Sequence, residues 1–356
     1  QNGGVFNLGG FTQTLGAVTL TAGTITSGTL SGASYVVLSG DISANLSGSG
    51  ALTKTSPGLV TLSGTNSYSG GTTVNVGTLA LGVNNTLLSG GTVSVTGGEL
   101  ALGTTSQTVG ALSLTGGVIS GGTLSGTSYT VVNGTISSIL AGSGIVLTKE
   151  DSGTVLLTGV NTYGGGTVVN AGTLLLGGDE RLLSAGSVEL NGGVFNLGGN
   201  TQTTAAVTLN GGAITNGTLS GGLYAVRLGD ISANLAGSGA LTKTTTGLVT
   251  LSGVNSYSGG TVVNDGTLAL GVDNTLLASG AVTVNGGELA LGTTSQTVGA
   301  LSLSGGVISG GTLSGTSYTV ENGEIRSILS GAGIVLTKNN SGTVLLTGVN
   351  TYGGGT

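Results

Sequence analysis

The chain has 356 residues, only 6% of them charged, and a net charge of −6. Nucleic acid is therefore not an expected partner, because phosphate binding requires clustered Lys and Arg, and no apolar run approaches the roughly 20 residues that cross a bilayer. The lack of Cys and His excludes disulfides, thiolate or imidazole metal sites, and catalysis by a Cys nucleophile or a Ser-His-Asp triad.

Short alternating runs along the chain predict β-strands. Glycine is abundant, with 76 residues, and would suit a disordered chain, but 37% of the residues are hydrophobic. Val and Leu alternate with Thr and Ser in runs such as AVTL (17–20), TVSV (92–95) and ALSL (111–114). Alternation of this kind is typical of half-buried strands, so we expect a folded all-β protein.

The strands recur in a long tandem repeat. Ser152–Thr167 returns letter for letter as Ser341–Thr356, with every position shifted by 341 − 152 = 189. An older duplication divides each period into two units, 94 and 95 positions long. The predicted units are 3–96, 97–191, 192–285 and 286–356. Because the repeat fills the whole length, we expect 1–356 to be one continuous solenoid. Because the last unit is truncated, we expect this solenoid to belong to a longer chain, with any export signal outside it.

Each unit divides again at glycine-rich corners into pieces of roughly 18 to 20 residues, a length that suits one turn of a solenoid. In the first unit the pieces are 3–21, 22–40, 41–58, 59–76 and 77–96. Each holds about three strand-like runs, which predicts one coil of a parallel β-helix in which neighbouring coils satisfy each other's backbone. No long helix is expected, and the charged segment Asp179–Ser184 is predicted to be an outer loop.

One segment of each unit carries a recognisable motif. Leu59–Gly82 reads LVTLSGTNSYSGGTTVNVGTLALG and returns as Val155–Gly177, as Leu248–Gly271 and, truncated, from Val344. It resembles the β-strand repeat of autotransporter passenger domains. The resemblance implies a right-handed parallel β-helix that Gram-negative-type bacteria export and display or release outside the cell. The resemblance also implies a membrane β-barrel after such a domain, and we expect none within these 356 residues.

Asn and Tyr recur within and beside this motif. The asparagines are predicted to bond neighbouring backbone at turns; they are Asn66, Asn161, Asn255 and Asn350. Tyrosines follow two residues later at Tyr68, Tyr163, Tyr257 and Tyr352, and a second series is Tyr35, Tyr129, Tyr224 and Tyr318. These rings either form a stripe for carbohydrate stacking or filament packing, or cover the core at corners with the hydroxyl in water.

No group of residues predicts a catalytic, cofactor-binding or metal site. The densest charge clusters, Lys149-Glu150-Asp151 and Asp179-Glu180-Arg181, are interpreted as solvated loops rather than a glycosidase-like carboxylate pair. Calcium-binding nonapeptides are absent. Gly48-Ser49-Gly50 is not followed by the G-K-S/T sequence or the helix of a phosphate-binding loop. One lysine per unit is expected to oppose edge pairing or to form salt bridges between fibres; these are Lys54, Lys149, Lys243 and Lys338.

These observations favour a structural function over catalysis. We expect an extracellular fibre on a bacterial surface that acts in adhesion or cell contact and associates with itself, because its surface is polar but nearly uncharged. A glycan or cell-surface ligand is a further expected partner. The alternatives are the stalk of an adhesin whose binding domain lies elsewhere and a polysaccharide-active enzyme. Ice binding is a fourth possibility, opposed by coil lengths that are expected to break the register of threonines.

Overall fold

The computed structural model describes residues 2–356, and all the regular structure in that range is β-strand. No helix within residues 2–356 is long and apolar enough to cross a membrane. The chain forms two compact units: unit 1 contains residues 2–177 and 181–183, and unit 2 contains residues 178–180 and 184–356.

The strands of unit 1, in chain order, are β1 (Asn2–Asn7), β2 (Thr12–Leu20), β3 (Ala22–Thr26), β4 (Thr29–Val37), β5 (Gly40–Ile42), β6 (Asn45–Ser47), β7 (Leu52–Leu62), β8 (Thr72–Leu81), β9 (Val93–Val95), β10 (Glu99–Thr108), β11 (Ala111–Leu114), β12 (Val118–Ser125), β13 (Ser128–Val131), β14 (Gly134–Ile136), β15 (Ile139–Ala141), β16 (Leu147–Lys149), β17 (Thr154–Leu157), β18 (Thr167–Val169) and β19 (Thr173–Leu176).

Those of unit 2 are β20 (Ser187–Leu190), β21 (Val194–Asn196), β22 (Thr201–Thr204), β23 (Ala206–Leu209), β24 (Ala213–Thr215), β25 (Thr218–Gly221), β26 (Tyr224–Val226), β27 (Gly229–Ile231), β28 (Asn234–Ala236), β29 (Leu241–Lys243), β30 (Leu248–Leu251), β31 (Thr261–Val263), β32 (Thr267–Leu270), β33 (Val282–Val284), β34 (Glu288–Thr297), β35 (Ala300–Leu303), β36 (Val307–Ser314), β37 (Ser317–Val320), β38 (Gly323–Ile325), β39 (Ile328–Ser330), β40 (Leu336–Lys338) and β41 (Val344–Leu346).

The strands of each unit stack in parallel register on three faces of a β-solenoid. Face 1 begins with β1, β3 and β5 in unit 1 and with β21, β24 and β27 in unit 2. Face 2 contains β6 and β15 in unit 1, and β22, β25 and β28 in unit 2. Long strands such as β10 and β12 bend from face 1 to face 2. The predicted all-β parallel β-helix is therefore confirmed.

Face 3 has a strand in every coil. In unit 1 it consists of the second halves of β2 and β4, the first parts of β7 and β8, and β9, β11, β13, β16 and β18. In unit 2 it consists of β20, β23, β26, β29, β31, β33, β35, β37 and β40. Each unit thus presents nine parallel runs on this face.

The core consists of the inward half of each alternating run. In β9 the side chains of Val93 and Val95 are buried while Ser94 between them is partly exposed, as alternation along a strand requires. Burial of one such Val or Leu side chain contributes about 1.5 to 3 kcal/mol relative to exposure. Because the same columns of Leu, Val and Ile continue from coil to coil within each unit, the coils of a unit pack on one another.

Coil length varies more than the sequence predicts, without breaking the strand register. On face 2 the coil that begins at Thr29 closes at Asn45, and it is shorter than the predicted coils. On face 3 the coil that begins at Thr72 closes at Val93, and it is longer. The difference is taken up at corners and in loops such as residues 82–92, which contain no strand. Unequal coils therefore do not break the strand register, contrary to expectation, although Val36 and Val168 replace Thr in the outward column of face 3.

Candidate functional site

The eight tyrosines form four pairs, one in each predicted repeat unit, and the rings of three pairs are buried. The ring centroids lie 5.8 Å apart in the pair Tyr35–Tyr68 and 6.0 Å apart in Tyr129–Tyr163. They lie 5.9 Å apart in both Tyr224–Tyr257 and Tyr318–Tyr352. Seven of the rings are inside the solenoid and only Tyr352 is partly exposed. The hypothesis of an exposed stacking stripe is therefore wrong for these seven rings.

The hydroxyls of the seven buried tyrosines are also bonded inside the protein, so the expectation that they lie in water is wrong for these seven. The Tyr224 hydroxyl lies 2.7 Å from the carbonyl oxygen of Leu219 and 2.6 Å from that of Ala236, and it accepts a hydrogen bond from the backbone N–H of Gly221. Burial raises the pKa of Tyr224 to about 12 and has the same effect on its partner Tyr257. Both rings are therefore held in the neutral form.

The recurring lysines point inward, which contradicts their predicted role at the surface. Lys54, Lys149 and Lys243 are fully buried. Lys149 donates to the carbonyl oxygens of Glu150 (2.6 Å), Asp151 (2.7 Å) and, in the next coil, Ala171 (3.2 Å). Burial lowers the pKa of all three ammonium groups. These lysines link successive coils and are not available to a second chain.

Lys338 is the exposed member of the series. Its ammonium donates to the carbonyl oxygens of Asn339 at 2.7 Å and Asn340 at 2.8 Å. These bonds match two of the three made by Lys149, so the local turn is the same.

The motif asparagines bond neighbouring backbone, as predicted. The side-chain oxygen of Asn161 accepts from the N–H of Leu140 (2.9 Å) in the preceding coil. Its amide donates to the carbonyl oxygens of Gly159 (3.1 Å) and, in the following coil, Arg181 (2.9 Å). Asn66 and Asn255 make equivalent sets, and Asn350 accepts from Leu329. One side chain thus ties three coils together.

Buried glutamines join two neighbouring coils beside the next loop, and the sequence patterns described above do not predict this role. The Gln107 amide donates to the carbonyl oxygen of Val83 (2.7 Å), and its oxygen accepts from the N–H of Leu87 (3.3 Å). Gln296 repeats these contacts with Val272 and Leu276. The signal was present, because Leu100–Tyr129 and Leu289–Tyr318 are nearly identical, but a Gln in an exposed-looking TTSQT run does not itself indicate burial.

The two charge clusters do not assemble a reactive site. The Glu150 carboxylate accepts from the Asn170 amide at 2.7 Å. Asp179 accepts from the N–H of Thr201 (2.7 Å), and Glu180 accepts from the N–H (3.1 Å) and hydroxyl (2.8 Å) of Thr203. The carboxylates therefore brace adjacent coils. No group of three or more Asp or Glu side chains within residues 2–356 is placed to hold a metal ion.

A shallow groove lies beside the loop of residues 82–92 in unit 1. It has a cavity volume of about 410 Å³ and is lined by residues that include Thr65, Ser67, Asn85, Leu88 and Thr108. The lining is neutral and contains no aromatic ring, acid or base. It therefore offers hydroxyl and amide contacts, but its lining contains no base that could activate one of these hydroxyls as a nucleophile.

The family comparison matches the repeat motif. The model described as the passenger-associated transport repeat matches residues 52–81, 147–176, 241–270, 266–291 and 336–356. These segments include the buried lysines and the tyrosine series Tyr68, Tyr163, Tyr257 and Tyr352. The match to residues 266–291 extends into the coil after the third copy of the motif. The matched segments thus include many of the side chains that bond successive coils.

A curated relative matches a shorter stretch. The Adhesin BmaC autotransporter of Brucella suis biovar 1 (strain 1330) is 40% identical over 78 residues, which is 22% of this chain and 2% of the relative. The chain therefore spans a very small part of that protein. No solved structure matches the chain.

Proposed function

We propose, from the premise that this chain is an autotransporter passenger segment carrying passenger-associated transport repeats, that it is a structural, non-enzymatic part of a bacterial surface adhesin. The observation that carries the proposal is that the repeated polar side chains are buried and bond to the chain itself. Lys149, Asn161 and Tyr163 are buried and bond the chain itself, so the repeated chemistry stabilises coils and leaves no repeated reactive group.

A surface or extracellular location follows from the same premise. The chain lacks Cys, so its stability does not depend on disulfide formation during export. Its outer positions are mostly Thr, Ser, Asn and Gly, which keep the solenoid hydrated with few charges. We propose that cells display this segment as a stack of coils through which they contact other cells or a matrix.

Display on a bacterial surface tests this role. Cells that carry residues 1–356 should adhere or aggregate more than cells that carry a Tyr68→Asp, Tyr163→Asp, Tyr257→Asp variant, whose buried acids should unfold the coils. Equal adhesion by both displays, at equal surface expression, would contradict an adhesive role for the fold. Release of reducing sugar from polysaccharides by the purified chain would contradict the non-enzymatic assignment.

A stalk is the second candidate, and the relative's length favours it, because the matched stretch is only 2% of that adhesin. A stalk carries a binding domain without binding anything itself. Glycan and matrix arrays probed with the purified chain distinguish the two functions. Binding by the chain favours an adhesive shaft, whereas adhesion that requires a further domain favours the stalk.

A further inference from the structure

The outward side chains of face 3 in unit 1 form an uncharged surface. Their column runs in register through nine coils, from Thr19 to Val168. Its members are Thr19, Val36, Thr53, Thr73, Ser94, Ser113, Thr130, Thr148 and Val168. A neighbouring column contains small residues such as Ala17, Ser34, Ala111 and Ser128. Neither column contains an acid or a base.

Unit 2 presents the same kind of surface on its own face 3. The column begins with one acid, Glu189, and continues with Thr208, Ala225, Thr242, Val262, Thr283, Ser302, Thr319 and Thr337. Two larger apolar side chains project beside it, because Leu223 is 46% exposed and Val335 is 48% exposed. A surface of hydroxyls and small apolar groups therefore recurs in both units.

Apart from Glu189, the acids lie on face 1, at corners and in loops. Asp41 and Glu99 are outward on face 1 in unit 1, and Asp230, Glu288 and Glu324 are outward on face 1 in unit 2. Two copies of a chain with net charge −6 repel each other most when these faces meet. The strands of face 3 carry no outward carboxylate in unit 1 and only Glu189 in unit 2, so a second copy that approaches on this face meets fewer carboxylates than on face 1.

Face 2 is a poorer contact surface although it also carries few charges. In the coils of the repeat motif it has no strand, and loops such as residues 82–92 and 271–281 stand in its place. Face 3 keeps a strand in all nine coils of each unit. A continuous sheet packs face to face on another sheet at about 10 Å, whereas projecting loops prevent that approach.

We propose that face 3 is the surface through which two copies of this chain associate, sheet against sheet. Nine runs spaced about 4.8 Å apart and about 13 Å wide give each unit a face of about 500 Å². Two such faces bury about 1,000 Å², near the lower limit for a specific interface. One unit therefore gives a weak contact, and further units in register strengthen it through effective concentration.

This inference deepens the proposed adhesive role by naming a second copy as a partner. It predicts that association increases with salt, because screening weakens the repulsion between two chains of net charge −6 and no ion pair is lost at the interface. A contact that depended on ion pairs would weaken instead.

A charge-insertion experiment tests the surface. Sedimentation equilibrium of the purified chain should show concentration-dependent self-association, and the variant Thr73→Asp, Ser113→Asp, Thr148→Asp should weaken it about tenfold or more. The matched control places the same charges on face 1 as Thr61→Asp, Ala101→Asp, Thr135→Asp and should change the dissociation constant by no more than about twofold. Circular dichroism establishes that both variants keep the native strand content.

Thiol labelling supplies a second readout, because the chain has no cysteine. Labelling of Thr130→Cys on face 3 should slow as protein concentration rises, and labelling of Ser120→Cys on face 1 should not. A monomeric chain at all concentrations, equal weakening by the two charge sets, or slowing confined to Ser120→Cys would overturn the inference. The proposed adhesive role fails separately, because monomeric chains on cells can still adhere to a matrix.

Discussion

The Tyr163 ring shows how one polar residue is accommodated in an aliphatic core. Its edge packs on Tyr129 at 6.0 Å between centroids, and its hydroxyl lies 2.8 Å from that of Thr167. The ring fills space at a corner, and the hydroxyl pair satisfies two buried polar groups together. Removal of either partner therefore leaves the other group buried without its bond.

We expect Tyr163→Phe to lower the free energy of unfolding by about 1 to 2 kcal/mol, because the Thr167 hydroxyl loses its partner in the core. Urea denaturation followed by circular dichroism measures the change. Tyr352→Phe is the matched control, since its bond to Thr356 is exposed and water can replace it. Equal losses in the two variants would contradict the importance of burial.

Alkaline pH should unfold the chain through the tyrosines. Burial raises the pKa of Tyr68, Tyr224 and Tyr257 to about 12, whereas the unfolded chain ionises at about pH 10. Their stabilising contribution is complete below about pH 10 and is lost as pH rises toward 12, because only the unfolded chain releases these protons. The buried lysines act oppositely, since their lowered pKa makes stability rise with pH until the unfolded lysines are neutral too.

The measurement follows tyrosinate absorbance and circular dichroism in one titration. We expect most tyrosinate to form together with the loss of β-structure, well above pH 10. A complete tyrosinate signal near pH 10, with the strand signal intact, would show that the rings are accessible to water.

The sequence indicated some of these residue roles and not others. Asn161 was placed correctly, because Asn in a glycine-rich corner is a strong turn signal. Lys149 was placed on the outside because charged residues are rarely buried. The alternation of Leu147, Thr148 and Lys149 nevertheless puts Lys149 on the same side as Leu147, and strand parity was the better guide.

At the scale of a coil, corners hold the stack together. Gly172 has a φ of +64°, and a Cβ on it would lie 2.6 Å from the Lys149 ammonium nitrogen. The glycine therefore leaves the space in which the lysine reaches the Ala171 carbonyl oxygen. Gly266 stands in the same relation to Lys243. In each of these two corners, the glycine makes room for the buried lysine that bonds the next coil.

Gly172→Ala should destabilise the chain by about 2 kcal/mol or more, through the positive φ and the displacement of the Lys149 side chain. Thermal unfolding measures the loss. Gly90→Ala is the control, because a Cβ there meets nothing within 4 Å, and we expect a change within about 0.5 kcal/mol. A neutral Gly172→Ala would mean that the corner does not constrain the lysine.

Asn161→Asp tests the bridge between three coils. The carboxylate would face the Gly159 and Arg181 carbonyl oxygens, to which the amide now donates, so we expect a loss of about 2 kcal/mol or more at neutral pH. The loss should shrink as pH falls, since a protonated carboxyl can donate again. Denaturation midpoints measured over a range of pH check this, and a loss independent of pH would contradict the proposed geometry.

The strands and corners could largely be predicted from the sequence. The alignment of outward side chains on face 3 could not. Alternating runs and glycine corners identified the parallel β-helix, because each strand obeys a simple period. The outward register of Thr53, Thr73 and Ser94 depends on how the corners absorb coils of different length, which the sequence does not specify. That register keeps the column regular, although Val36 and Val168 interrupt the hydroxyls along it.

At the scale of the molecule, the repeat presents the same kinds of surface many times. Each unit repeats its internal bonds from coil to coil, places acids on face 1 and keeps face 3 almost free of charge. A single continuous solenoid over 1–356, with repeat units at 3–96, 97–191, 192–285 and 286–356, stays a prediction. Contact with other copies or with a matrix then depends on repeated weak sites rather than on one pocket.

X-ray diffraction from oriented protein tests the stacked coils most directly. The parallel strands of every face repeat along the stacking direction, so we expect a strong reflection at about 4.8 Å along that direction. Diffraction without this reflection, or with it only at right angles to the orientation axis, would contradict the arrangement on which the internal bridges and the three faces depend.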